Sequence, residues 1–187
     1  MVVKKSANVG QIVERMLSDE DLSVNQIAFD LDVSPQMASH LKNNRRTMQQ
    51  DIAKRAINVY NDSPAFVMDL LFEFSDGYTS PVLRGKALEQ HRLSFKEFLA
   101  DEWADVQRKV YPTEKDDLEY KFDWKKAPEN ATKEEVAWIK DLIIELNEAE
   151  MAVTNFRRHL YEAYLINPKQ VQKETFSRIK TKGWIEV

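Results

Sequence analysis

Three side chains able to read the edge of a base pair recur at helical spacing near the start of this chain. They are Gln36, Ser39 and His40, in the stretch "SPQMASHLKNNRR". Steps of three and four residues put them on one face of a helix. Glutamine can bond adenine through two hydrogen bonds, and serine is permissive. Directly behind them stand Lys42, Asn43, Asn44, Arg45 and Arg46, cations and amides suited to phosphate oxygens. Between residues 34 and 55 five cations (Lys42, Arg45, Arg46, Lys54, Arg55) meet the single acid Asp51, while the 187-residue chain as a whole carries -4. Screening confines each charge to about 8–10 Å, so an acidic protein can still keep one basic face for a nucleic acid.

Such a face needs two short helices crossing at a steep angle, the second presented outward. Ser23 is a plausible cap for a helix carrying Ile27, Ala28 and Leu31, and Ser34 followed by Pro35 is a strong start signal for the next. Ala28 supplies the small contact between them. Ile27, Leu31, Val33, Met37 and Leu41 form the inner apolar set. Asp32 sits where the turn must bend, and aspartate tolerates a left-handed backbone better than most residues. Around this pair the spacing predicts a helix over about 7–19 with Val9, Ile12, Val13, Met16 and Leu17 on one stripe. It predicts another over about 49–60 with Ile52, Ala53, Ala56, Ile57 and Tyr60 apolar. Ser63-Pro64 opens a fifth, "AFVMDLLFEF", apolar around much of its girth and expected to be buried on two sides. Residues 1–75 therefore read as an all-α, five-helix domain.

The stretch "NQIAFDLDVSPQMASHLKNNRR" resembles the Xre/Cro-type helix-turn-helix family of bacterial and phage regulators. Asp32 stands where that family has glycine, and Val24 where it often has a phosphate-contacting glutamine. The following "GYTSPVLRGKALEQHRLSFKEFLADEWADV" is similar to a region behind the Xre-type domain in some prophage-encoded regulators of Gram-positive bacteria, so the resemblance spans about residues 7–110. It implies a recognition helix of about residues 34–42 in the major groove of double-stranded DNA. Ser34 would then meet a phosphate at the positive end of the helix dipole. Gln36, Ser39 and His40 would face bases, and Lys42, Asn43, Asn44, Arg45 and Arg46 would hold the backbone.

Behind the domain, residues 76–93 read as an irregular connector and 94–187 as a helical C-terminal region. Ser94 to Val110 is helical in pattern, with Phe95, Phe98, Leu99, Ala104 and Val106 apolar or small. A loop at 111–131 follows, with six acids and four lysines between Pro112 and Ala131 and aromatic anchors at Tyr120, Phe122 and Trp124. Thr132 and Glu135 then form a capping box. Nothing breaks the helix from there to Ile166, roughly 50 Å. Along it Ile139, Leu142, Leu146, Ala149, Val153, Phe156, Leu160 and Ala163 alternate by threes and fours, a heptad seam. The seam can pair two chains as a homodimer or pack within one chain, against the 94–110 or 168–181 helices. Asn167-Pro168 stops it and starts a last helix ending near Gly183.

The remaining residues point away from an enzyme. His40, His91 and His159 are scattered, Glu145 and Glu148 read as a solvated helix face, and there is no cysteine. No phosphate loop, dinucleotide fingerprint or nucleophile motif is present, so no cofactor, catalytic residue or metal is expected. Trp103, Trp124, Trp138 and Trp184 read as core or interface anchors rather than platforms for single strands. No run approaches the roughly 20 apolar residues of a membrane span, and the start has no signal-peptide pattern, so the expected location is cytoplasmic. Two functions from different classes remain. One is a dimeric, sequence-specific transcriptional regulator. The other is a phage-type interaction protein, an antirepressor or modulator of a host protein, with the helix-turn-helix as scaffold and a protein partner on the C-terminal region.

Overall fold

A computed structural model of the protein describes residues 3–112 and 122–185. Tyr120 and much of the acidic loop lie outside them. Eight α-helices, one two-stranded ladder and one 3₁₀ turn are found among the described residues, so the chain is mostly helical. They form two compact units, Met1–Val82 with Leu160–Val187, and Leu83–His159.

The first unit contains β1 (Ser6–Ala7), α1 (Gly10–Asp19), α2 (Val24–Asp30), α3 (Pro35–Lys42), β2 (Met48–Gln49), α4 (Gln50–Val59) and α5 (Pro64–Phe74), with α8 (Pro168–Thr181) from the C-terminal end. Its core takes Val9, Ile12, Val13, Met16 and Leu17 from the first stripe, Ile27, Ala28 and Leu31 from the second, and Ala38 and Leu41 from α3. Val33, Met37 and Ile57 pack against it half-buried. Ile52, Ala53, Ala56 and Tyr60 complete the floor, the spacing that the apolar pattern of α4 predicts. Ser23 and Ser34 cap as expected, each hydroxyl oxygen accepting from the backbone N–H three residues on, at 3.1 Å. Ser63 does not. Its hydroxyl donates to Glu20 Oε1 at 2.5 Å, so Pro64 alone starts α5. That helix is also less enclosed than expected, with Phe66, Leu70 and Phe74 buried and Leu71 exposed.

One element has no counterpart in the sequence reading. Ser6 pairs with Gln49 and Ala7 with Met48 in an antiparallel ladder. Two residues per strand are too few to show an alternating pattern. Met48 and Ala7 point into the core, so the ladder draws the N-terminal arm and the segment before α4 together.

The second unit is an antiparallel helical hairpin of α6 (Arg92–Val110) and α7 (Lys133–Tyr164), the latter running on past the unit's end. Phe95 near the start of α6 lies 4.2 Å from the ring of His159, while Lys109 near its end reaches Asp141 and Glu145. The capping box forms as predicted: Thr132 N–H donates to Glu135 Oε2 at 2.6 Å, and Glu135 N–H to Thr132 Oγ1 at 3.3 Å. Lys126 adds an ion pair to the same carboxylate at 2.6 Å, which lets Glu135 be buried. Phe122 stacks on Trp138 with centroids 5.1 Å apart, and Trp124 meets both rings edge-on. Asn155 is fully buried, its Oδ1 accepting from Leu83 N–H at 2.9 Å and its amide donating to Met151 O at 3.0 Å.

The heptad seam divides. Leu142 and Ala149 are buried and Ile139, Phe156 and Leu160 half-buried, but Leu146 is 44% exposed, Val153 40%, and Ala163 is exposed too. The covered face runs through Trp138, Leu142, Glu145, Ala149, Ala152, Phe156 and His159, again by threes and fours. The two columns of the seam, Ile139/Leu146/Val153/Leu160 and Leu142/Ala149/Phe156/Ala163, stand three residues apart and so lie side by side around the helix. Here Leu142, Ala149 and Phe156 of the one column are taken by the hairpin, and Leu146 and Val153 of the other are left outward.

His159 Nε2 lies 2.7 Å from Arg158 Nη2, which can only donate, so the ring is neutral. Burial first, then Arg158 and His91, pull its pKa down from 6.5 to about 4. Below pH 6.5 the unfolded chain binds a proton that the fold refuses, so stability present above 6.5 is lost as pH falls toward 4. The urea midpoint of the wild type should fall across that window. A His159→Gln variant should lack that part of the slope, and equal slopes in the two proteins would refute the assignment.

Candidate nucleic-acid interface

α3 is an eight-residue helix, about 12 Å long, pinned on its inner side by buried Ala38 and Leu41. The turn before it bends at Asp32, whose φ of +51° is the left-handed conformation the sequence called for. Val33 N–H donates to Ala28 O at 2.9 Å across that turn. At its rear, the Tyr60 hydroxyl donates to Asp30 Oδ2 at 2.6 Å and ties the end of α4 to the end of α2. Burial and then the Asp30 carboxylate push the Tyr60 phenol above its usual range, so it remains a donor.

On the outer side the structure brings the predicted residues together. Ser34, Gln36, Asn43, Asn44, Arg45 and Arg46 are exposed, and Ser39, His40 and Lys42 half-exposed. Ser34 Oγ is used as an acceptor by Met37 N–H, which leaves the hydroxyl proton for an outside oxygen. Lys42, Arg45, Arg46 and Lys54 make no ion pair among the described residues, whereas Arg55 lies 3.6 Å from Asp51 one turn away. The positive surface therefore rests on four cations. Asp32 is exposed one turn before the start of α3 and opposes a phosphate there.

Two of the predicted backbone-holding residues also have work inside the molecule. Asn43 Nδ2 donates to Ser39 O at 2.8 Å and closes the end of α3. Asn44, at φ +52°, turns its Oδ1 to accept from Gly10 N–H at 2.7 Å, the first turn of α1, which has no capping side chain of its own. Gly10 is needed for this: a Cβ there would sit 2.5 Å from Lys42 O and 2.7 Å from the Asn44 amide. The partners are 34 residues apart, so sequence spacing carried no sign of the bond.

Elsewhere the fold joins Glu102 of α6 to Glu145 and Glu148 of α7, with carboxylate oxygens within 4.8 Å of one another. Burial and then Glu148 push the Glu102 carboxyl upward, and Lys109 answers Glu145 at 3.0 Å. The sequence reads Glu145 and Glu148 as a solvated helix face, whereas packing against α6 leaves both half-buried beside Glu102. Residues brought together by α6 against α7 have no common spacing in the chain.

Neither a family model, a curated protein nor a solved structure matches this chain.

Two substitutions at residue 44 separate its conformation from its bond. Asn44→Gly keeps the left-handed turn but removes the cap, and should cost about 1 kcal/mol. Asn44→Ala loses both and should cost about 2 kcal/mol. Urea midpoints of the two variants and the wild type should fall in that order. Two variants as stable as the wild type would show that the contact contributes nothing.

Proposed function

We propose that the protein is a sequence-specific DNA-binding transcriptional regulator of phage or prophage type, with α3 entering the major groove. The observation that carries this is the outer face of α3. Gln36, Ser39 and His40 stand together on a helix fixed by its buried side, and four unpaired cations flank them in an acidic chain. Base-edge donors and acceptors ringed by phosphate-binding cations are the chemistry of direct readout. The Xre/Cro-type resemblance of residues 25–46 supports the same reading.

One recognition helix reads only a few base pairs, and specific sites commonly join two modules a helical turn apart. The outward column of α7 supports a homodimer. Val136 is 56% exposed and Ile143 51%, with Leu146 and Val153 beside them on the same side. In an antiparallel pair of α7 helices with its two-fold between residues 143 and 146, Val136 meets Val153 of the second copy and Ile143 meets Leu146. Lys140 comes beside Glu150. These are the alternating layers of a coiled coil.

A second reading is an interaction protein whose helix-turn-helix is scaffold. Trp103, 51% exposed on α6 in the C-terminal region, favours it, because aromatic side chains of this kind anchor protein contacts.

The deciding experiment recovers bound fragments from sheared genomic DNA of the source organism, with the wild type beside a Gln36→Ala/His40→Ala/Arg45→Ala variant. A few discrete sites with dyad symmetry, absent for the variant, are expected. No enrichment at low salt by folded protein would remove the regulator reading and leave the interaction protein. In sedimentation equilibrium the wild type should be a dimer and Leu146→Glu/Val153→Glu a folded monomer. A dimer in both would place the pairing surface elsewhere.

A further inference from the structure

α8 has no buried residue, yet it belongs to the same compact unit as α1–α5. Lys169, Lys173, Phe176 and Lys180 recur on it at steps of four, three and four, so they share one stripe. The stripe is about 16 Å long, the rise of about five base pairs of duplex. From residue 168 to 184 five cations stand against the single acid Glu174. Glu174 is engaged by Gln170 of the same helix at 3.3 Å, and Lys173 and Lys180 have no ion-pair partner among the described residues. Phe176 is exposed within the stripe.

The helix is tied to the DNA-reading elements. Lys169 Nζ donates to Asn58 O near the end of α4, at 3.4 Å. Two residues on, Tyr60 holds Asp30, the last residue of α2 before the turn into α3. Two polar contacts thus link α8 to the approach of the recognition helix. Lysines four apart on an exposed helix repel each other by a few tenths of a kcal/mol. A polyanion laid along the stripe would remove that cost and use the cations that the fold itself leaves unpaired.

We propose that the Lys169/Lys173/Lys180 stripe of α8 is a second phosphate-binding element, gripping the sugar-phosphate backbone of the duplex that α3 engages. This rests on the DNA-binding reading above. The stripe carries lysines and a phenyl ring without amide groups, so it contributes affinity and salt dependence but no base selection.

The test uses the full chain and a random-sequence 30-base-pair duplex, with affinity followed by fluorescence anisotropy from about 50 to 200 mM salt. Each lost phosphate contact flattens the log–log salt slope by about 0.9. Lys169→Gln/Lys173→Gln/Lys180→Gln should therefore lower the slope by about 2.7. Lys173→Gln/Lys180→Gln, which spares the bond to Asn58, should lower it by about 1.8. Circular dichroism verifies the helical content of both, and the milder variant serves if the triple one unfolds. A wild-type slope in the lysine variants, alongside a reduced slope for Arg45→Ala, would overturn this proposal and leave the α3 reading standing. Absence of wild-type binding to the duplex at 50 mM salt would overturn both. Binding to phosphatidylserine vesicles that the lysine variants lose, with their DNA slope unchanged, would assign the stripe to a lipid surface instead.

Discussion

The placement of the basic loop depends on one hydrogen bond, from Gly10 N–H to the side-chain oxygen of Asn44. The first turn of a helix leaves backbone donors unsatisfied, and α1 has no Ser, Thr, Asp or Asn in position to accept one. The loop behind α3 supplies the acceptor instead. In doing so it holds residues 42–46 against the start of α1, within 3 Å of where a methyl group on residue 10 would sit. The loop that bears Arg45 and Arg46 is therefore braced at its middle, and α1, α3 and the loop are made to fold as one piece. The cost is a left-handed backbone at Asn44, which asparagine bears more cheaply than most residues.

A similar economy holds at the other side of α3. Asp32 accepts the left-handed turn where glycine would be less strained, and its charge opposes an incoming phosphate. Tyr60, by contrast, neutralises no charge but gives Asp30 a donor, so that the end of α2 is anchored to α4. The side chains that α3 buries are apolar, and the buried Asp69, paired with Arg15, lies between α5 and α1, so the orientation of α3 comes from these few polar ties. Packing alone would tolerate small rotations of α3 about its axis. Hydrogen bonds at both of its ends do not.

The second unit solves a different problem. Its hairpin buries Glu135, Asn155 and Arg158, and each has partners: Lys126 and the Thr132 amide, the Leu83 amide, and His159 with Gln90. Those partners lie on α7 itself or in the segments that flank the hairpin. The register between α6 and α7 is set instead by Lys109 of α6 against Asp141 and Glu145 and by Phe95 against His159, contacts that sliding either helix by one turn would disturb. The outward column of α7 is then fixed as a consequence of the inward one.

Most of the first unit's core, the two serine caps, the left-handed residue 32 and the Thr132–Glu135 box were legible in the sequence, because each depends on neighbours within about four residues. Local chemistry of that kind is carried by spacing. What the tertiary structure alone decided has partners far apart in the chain: the cap on Gly10, the Ser63–Glu20 bond that displaced an expected cap, the two-residue ladder, and Glu102 beside Glu145 and Glu148. The division of the heptad seam belongs with these. A 3-4 pattern states that a helix has an apolar side, but which column is covered depends on the partner helix, and α6 was selected by polar pairs that no period reveals.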